Sequence, residues 1–378
     1  MHITLFFTRK GSLKNWARVG MFEREVALYR KYLEKKVTIS FITYGKKDHL
    51  LFADRLPGIE ILCNEWKLPA SIYTRMIPLL HAKTLQKTDI IKSNQTPGAL
   101  EALRAAKIFR KPMIARCGYM HSDFIAKESG VDSDLTKKAL NDELKIFRSA
   151  DSIEVTTAMM KESIMSRIPE TSGKISVVPN YVDTRIFSPS SLCKDIDLLF
   201  IGRLTPQKNL FALLDALHGL NLKTVIVGTG VQEKELKAKG LALNLNIDWK
   251  GNIPNNELPL YLNRAKLFIL PSFYEGHPKT LIESMACALP SIGADSPGIR
   301  EVIRHGETGW LCSTETGSIR EAVIKLSESD ELRTTLGCKA RTFAVENYSL
   351  DTIAEKEHNM MLQLVNRDTR RKKRTIQK

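Results

Sequence analysis

Asp197-Leu198-Leu199-Phe200-Ile201-Gly202-Arg203-Leu204-Thr205-Pro206-Gln207-Lys208-Asn209 is the stretch on which the fold turns. Residues 197–201 are an apolar run of strand length, residues 202–209 carry turn chemistry, and the apolar spacing over 210–217 predicts an amphipathic helix. A strand feeding a helix through a short turn is half of a βαβ unit. Such units build open parallel sheets whose ligands gather at the carboxyl ends of the strands. The alternation recurs downstream, with strands expected at 224–227, 247–249, 267–270 and 291–292 and helical stretches between them. A second sheet starts at the amino end, where a strand at 3–7, a loop at 8–20, a helix at 21–33 and a strand at 37–43 follow one another. Residues 113–115 read as a further strand of that sheet. A chain of 378 residues exceeds one ordinary core and suits two α/β domains of ~150 to 200 residues.

The net charge of +15 is unevenly placed. Residues 1–180 hold 30 Lys and Arg against 19 Asp and Glu, residues 181–366 hold 20 against 22, and residues 367–378 hold 7 against 1. A basic first domain on a near-neutral second one is expected to face something anionic, such as phospholipid headgroups or a lipid-diphosphate acceptor. A solvated basic surface is the plainer alternative. Nucleic acid is not an expected partner, because no recognition module accompanies the basic residues. The six cysteines (63, 117, 193, 287, 312, 338) form no Cys-x-x-Cys pair and are expected to be reduced, outside any disulfide framework or zinc site. The apolar run at 3–7 is too brief for a signal peptide or a span, and nothing later reaches ~18 uninterrupted apolar residues. A cytoplasmic protein, free or peripheral on the inner face of the cell membrane, is the expectation. Residues 68–85 mix Ile72, Tyr73, Met76, Ile77, Leu79 and Leu80 with Arg75 and Lys83, a pattern that suits either a core face or a membrane surface.

The chemistry-bearing residues fall after two expected strands. Pro271-Ser272-Phe273-Tyr274-Glu275-Gly276-His277-Pro278-Lys279-Thr280-Leu281-Ile282-Glu283 places one carboxylate before a helix and another on its second turn. Pro278 suits a first helical position, which leaves the N–H groups of Lys279 and Thr280 to make an anion seat. Glu275 and Glu283 can accept hydrogen bonds from hydroxyls beside it. Arg203 and Lys208 flank the turn after residue 201 and offer a planar fork and a point cation to a diphosphate. A ligand with phosphates in the middle and hydroxyl-rich rings on either side fits this set, and a nucleotide sugar is such a ligand.

Ala150-Asp151-Ser152, Lys174 to Asp183, Gly202-Arg203-x4-Lys208, Val227-Gly228-Thr229-Gly230, the paired glutamates, Glu283-Ser284-Met285-Ala286-Cys287 and His305-Gly306-Glu307-Thr308-Gly309-Trp310-Leu311 follow in order. In these segments the chain resembles the retaining glycosyltransferases of family 4 (glycosyl transferases group 1), which have the GT-B fold. That resemblance implies an α/β protein of two Rossmann-like, doubly wound domains facing each other across a cleft. It implies an acceptor-side domain at 1–180 and a nucleotide-sugar domain at 181–350. A helix at 351–366 would cross back to the first domain, and a basic tail at 367–378 is expected to be disordered. The implied donor positions are Gly20, Gly202, Arg203, Lys208, Gly228, Ile253, Glu275, Lys279, Thr280 and Glu283. Gly20 stands in the second place of the family's Gly-Gly loop, Ile253 lies beside the base, and Glu283 holds the ribose. Three positions depart from the family: Val19 replaces the loop's first glycine, Gly118 stands where many members have a histidine, and Ala288 replaces the glycine after the Glu283 helix. His121 is the candidate to substitute at the second of these, and Arg116 a comparable contact for a phosphate or acceptor. At Ala288 a left-handed cap would cost about 1 to 2 kcal/mol, so another form of cap is expected.

The resemblance further implies transfer of a hexose-type sugar, with retention, to a hydroxyl of a cell-surface glycan or lipid-linked acceptor. The expected catalytic set is Glu275, Arg203, Lys208 and His121, with the nucleotide sugar as co-substrate and no cofactor. No metal is expected, since Asp132-Ser133-Asp134 has no strand in front of it and Asp195-Ile196-Asp197 opens a strand at the wrong edge. A nucleotide-sugar epimerase, or a non-catalytic nucleotide-sugar-binding protein on the same fold, are the alternatives.

Overall fold

The computed structural model describes residues 1–376, with side chains described through Arg370. The chain divides into two units. One comprises Met1–Arg18, Glu25–Pro179 and the residues from Ala354 onward, the other Val19–Arg24 and Asn180–Ile353.

The first unit is a seven-stranded parallel sheet of β1 (His2–Phe6), β2 (Thr38–Ile42), β3 (Ile59–Leu62), β4 (Ile90–Ser93), β5 (Met113–Cys117), β6 (Ser152–Val155) and β7 (Ile175–Val177), in the order β3-β2-β1-β4-β5-β6-β7. Ile3, Thr4, Leu5 and Phe6 of β1 are all buried. A strand buried on both faces is the mark of a sheet covered by crossover helices on either side. From Glu25 onward the helix Phe22–Glu34 turns Val26, Tyr29 and Tyr32 inward, and Tyr29 meets Phe41 of β2 edge-on at 4.9 Å. The expected loop at 8–20 holds a short helix, Leu13–Arg18. Asp48 caps it, one carboxylate oxygen accepting the Leu13 N–H and the Thr43 hydroxyl, each at 2.8 Å. With Leu13 and Trp16 alone turned inward, six residues carry too little periodicity for a sequence reading to register.

The last helix, Leu350–Ile376, counts with the first unit from Ala354 onward. Ala354, Glu357, Met361 and Leu364 form its buried stripe. Residues 367–376 of the expected disordered tail continue this helix, because no glycine or proline interrupts it and Arg and Lys are good helix formers. Residues 377–378 lie outside the described residues. Glu357 enters a buried cluster. Lys92 of β4 pairs with it and with Glu154 of β6, the latter at 2.8 Å, and none of the three side chains is more than 1% exposed.

The segment read as either core or membrane face is a helix, Ala70–Leu80, with Pro78 inside it, followed by a short helix Ala82–Lys87. Tyr73, Thr74, Ile77 and Pro78 face the core. Ile72 and Leu79 face solvent. His81 between the helices is buried, its Nε2 lying 2.9 Å from the Tyr73 hydroxyl. Burial holds its imidazole down at about 4, against the opposing pull of Glu60. In the unfolded chain a histidine titrates near ~6.5. Its folded pKa being the lower, the unfolded chain binds the proton first. Stability is therefore full above ~6.5 and falls as pH drops toward 4, by up to ~1.4 kcal/mol per unit. Urea midpoints should fall less between pH 7 and pH 5 in His81→Gln than in the parent.

The second unit is a six-stranded parallel sheet of β8 (Ile196–Ile201), β9 (Thr224–Val227), β10 (Ile247–Gly251), β11 (Ala265–Leu270), β12 (Ser291–Ala294) and β13 (Trp310–Cys312), in the order β10-β9-β8-β11-β12-β13. The order reverses between β8 and β11. Its core carries Leu198, Phe200, Phe268 and Leu270 from the central strands and Leu210, Leu213 and Leu217 from the helix Leu210–Leu217, which forms where the apolar spacing puts it. The segment Val19–Arg24 is held here, the Asn255 N–H donating to Gly20 O at 3.1 Å and the Tyr181 hydroxyl to Arg24 O at 2.6 Å.

Ala288 contradicts its expectation. It takes φ +54, and the Leu289 N–H still reaches Ser284 O at 3.0 Å, so the left-handed cap is kept despite the side chain. Gly337 explains the tight fit around it: a Cβ there would stand 2.3 Å from Ala288 O. Asp195 is gripped by Arg264 (2.8 and 2.6 Å) and Lys223 (3.1 Å), and Asp197 pairs with Lys266 at 2.8 Å. Ser133 of the other aspartate triplet caps the helix Asp134–Ser149. All six cysteines are free, four of them buried.

Candidate active site

The carboxyl ends of β8 and β11 are the switch point of the second sheet, where neighbouring crossovers leave in opposite directions and open a crevice. Arg203 and Lys208 follow β8, and Glu275 follows β11. The fold thus gathers on adjacent strand ends residues that lie about 70 positions apart in the chain. A short 3-10 turn, Pro206–Lys208, swings Lys208 back under the β11 loop, where its ammonium pairs with Glu275 Oε1. The two side chains are 11% and 10% exposed, so the pair is shielded but reachable. Arg203 is exposed and makes no ion pair among the described residues.

Gln207, read in the sequence only as a spacer, stitches the two loops together. Its Nε2 donates to Tyr274 O at 2.7 Å and to Glu275 Oε2 at 3.4 Å, while its backbone carbonyl accepts the Phe273 N–H at 2.9 Å. Both Glu275 oxygens are oriented from the β8 side before any ligand arrives. The Glu275 N–H is tied to Pro297 O at 2.9 Å. A Cβ at Gly298 would stand 2.5 Å from Glu275 O, so only glycine, at φ +83, lets the 297–298 turn pass this close.

Pro278 sits one residue earlier than expected, at the cap of the helix Lys279–Ala286 and not in its first turn. Lys279 and Thr280 are then the first two helical residues, both half-buried, and backbone N–H groups there have no acceptor within the helix. Glu283, one turn on, is 1% exposed. Its Oε1 accepts from Asn255 Nδ2 at 2.9 Å and from the Arg24 guanidinium at 3.3 Å. Its Oε2 is buried without a hydrogen-bond partner. Burial pushes the Glu283 carboxyl up, while Arg24, Asn255 and Lys279 draw it down. Arg24 and Asn255 were not legible as site residues, since each owes its place to a loop that only the folded unit brings to Glu283.

The glycines do two different things. A Cβ at Gly228, which has φ +136, would stand 1.9 Å from Gly202 O, so the loops after β8 and β9 touch backbone to backbone. Gly230 packs as tightly on Leu204 O. These glycines let the loops after β8 and β9 pack closely together. Gly20, at φ +72, lies against Ile253 and Pro254, where a Cβ would come 3.1 Å from Pro254 Cα. It meets the loop that was expected beside the base.

His121 belongs to the first unit and is not among the residues the second unit gathers. It begins the helix His121–Ser129, its N–H donating to Glu143 Oε1 at 2.6 Å, and burial lowers its ring pKa. At the neighbouring departure, the Gly118 N–H donates to Gln95 Oε1 at 2.9 Å, and a Cβ at 118 would collide with the Gln95 amide at 2.7 Å. Gln95 thus fills the space a side chain at 118 would take. Arg116 lies on β5 beside it.

Residues 183–343 match the family model described as glycosyl transferases group 1. The chain is 34% identical over 170 residues to an uncharacterized glycosyltransferase of Haemophilus influenzae, covering 42% of this chain and 46% of that protein. It is 36% identical over 129 residues to the putative teichuronic acid biosynthesis glycosyltransferase TuaC of Bacillus subtilis, covering 34% and 32%. Each match spans less than half the length of the curated relative. The solved structure of Anabaena HepE in complex with UDP superposes with a TM-score of 0.75 at 16% identity, covering 96% of this chain and 100% of that one. The resemblance to group 1 glycosyltransferases is borne out over 183–343, and so is a GT-B-type fold of two Rossmann-like parallel sheets.

Proposed function

Starting from a second unit that carries a glycosyl transferases group 1 region, we propose that this protein transfers a hexose-type sugar from a nucleoside diphosphate sugar to a hydroxyl of a glycan or lipid-linked acceptor. The anomeric configuration is retained and no metal ion takes part. The observation that carries this reading is the Lys208–Glu275 pair at the β8/β11 switch point, with Arg203 on the same loop after β8 and the orphaned Oε2 of Glu283 on the helix after β11.

Departure of a diphosphate builds negative charge on its bridging oxygen, and fixed cations in a shielded place stabilise that charge without reorganising. Arg203 offers the fork and Lys208 the point charge, while the first-turn N–H groups at 279–280 add the helix terminus. Glu275, oriented by Gln207, accepts sugar hydroxyls. Glu283 Oε2 accepts a ribose hydroxyl. The acceptor is met by the basic first unit, at an anionic membrane surface on the cytoplasmic side.

A calorimetric screen of UDP-, GDP- and ADP-sugars tests the reading at its root. One series should bind at micromolar to millimolar concentration, and adding acceptor should release the nucleoside diphosphate. Turnover of donor without acceptor would assign an epimerase instead. Absence of binding across all three series would sink the proposal.

A further inference from the structure

One region of the first unit exposes more large apolar side chains than its fold requires. Leu50 (68%) and Leu51 (57%) stand on the short helix Asp48–Phe52, whose Asp48 and Phe52 are buried. Trp66 is 49% exposed, and on the helix Ala70–Leu80 Ile72 and Leu79 are 48% and 69% exposed. The spacing of Ile72, Arg75, Met76 and Leu79 follows three- and four-residue steps, so they share one outward stripe of this helix opposite Tyr73 and Ile77, and Lys83 is exposed on the short helix that follows. These segments adjoin. His49 Nδ1 lies 3.9 Å from Glu65 Oε1 and 3.0 Å from Cys63 Sγ, and the Trp66 ring lies 5.7 Å from that of His81, two residues past Leu79.

The presentation of Trp66 is built. Asn64 clamps Leu68 through both amide atoms, at 2.7 and 3.0 Å, and Lys67 takes φ +55 to close the turn, its N–H reaching Asn64 O at 3.0 Å. The exposed charges of this stretch are mostly basic: Lys46, Lys47, Lys67, Arg75, Lys83 and Lys87 stand against Asp54, Glu60, Glu65 and Asp89. Singly scattered apolar side chains need no explanation, but a cluster bordered by cations does. Leucine, isoleucine and tryptophan at acyl-chain depth, with lysine and arginine at headgroup level, is the arrangement that seats a surface on an anionic bilayer. No described helix is long and apolar enough to cross a membrane.

We propose that the face formed by Leu50, Leu51, Trp66, Ile72 and Leu79, with its rim of lysines and Arg75, is the surface by which the protein docks on an anionic lipid bilayer. This rests on the membrane placement in the reading above, but its test needs no glycosyl transfer, so the two fail separately.

The full chain is sedimented with vesicles of phosphatidylcholine containing phosphatidylglycerol and with vesicles of phosphatidylcholine alone. Binding is expected only to the first. Leu50→Gln/Ile72→Gln/Leu79→Gln should lower partitioning at least about tenfold through lost apolar burial. Arg75→Glu/Lys83→Glu should lower it at least about 25-fold, about fivefold for each basic residue removed. All these positions are exposed, and unchanged melting temperatures would show that the variants fold. Brominated lipid should quench tryptophan emission in the parent and not in Trp66→Phe. Vesicle binding that survives both multiple variants, or quenching that survives Trp66→Phe, overturns the proposal. So does a concentration-dependent dimer that the glutamine substitutions dissolve while vesicle binding is untouched, since the face would then serve a second copy of the chain.

Discussion

Lys92→Met should destabilise the protein by about 3 to 5 kcal/mol, the range seen when one partner of a buried ion pair is removed. Lys92 is the cation between Glu154 and Glu357, and none of the three reaches solvent. Methionine fills similar volume and leaves two carboxylates facing each other in the dark. Without the cation the two carboxylates repel each other and neither has a compensating charge. Glu357→Gln in the same chain should recover part of the loss, because a neutral amide then replaces one of the two repelling groups. Urea unfolding of the two single variants and the double one measures the coupling. A loss below about 1 kcal/mol for Lys92→Met, or additivity in the double variant, would show that the final helix is held by its apolar stripe alone.

Much of this architecture could be read from the chain because local pattern and tertiary demand agree. Residues 197–217 announce a strand, a turn and a helix, and β8 and the helix Leu210–Leu217 follow. The strand expected at 224–227 is β9 to the residue. Agreement fails where a neighbour far along the chain decides the outcome. β13 has three residues and exists because β12 lies alongside it. Ala288 takes a left-handed backbone where the distant Gly337 packs directly against its carbonyl. Arg203, Lys208, Glu275 and Glu283 stood out by residue type and distance from strand ends. Arg24, Gln207 and Asn255 did not, since each acts by orienting Glu275 or Glu283.

Lys208 and Glu275 are paired in the structure, yet each is assigned a different part of the donor, and that makes them separable. Lys208→Met should lower turnover by about 10²- to 10³-fold, equivalent to roughly 2.7 to 4 kcal/mol of lost charge stabilisation. It should also weaken binding of the nucleoside diphosphate alone, which carries no sugar. Glu275→Gln should lower turnover on a similar scale for the opposite reason: the amide is a poorer acceptor for sugar hydroxyls and brings no negative charge to the anomeric carbon. Its effect on the nucleoside diphosphate should be small or favourable, because the Lys208 ammonium loses its resident partner and is free for phosphate. Titration calorimetry with the diphosphate, set beside initial rates with the whole donor, separates the two. If both variants weaken the diphosphate equally and melt at the same lowered temperature, the pair is a brace between the β8 and β11 loops, and the cation that meets the departing diphosphate is Arg203 alone.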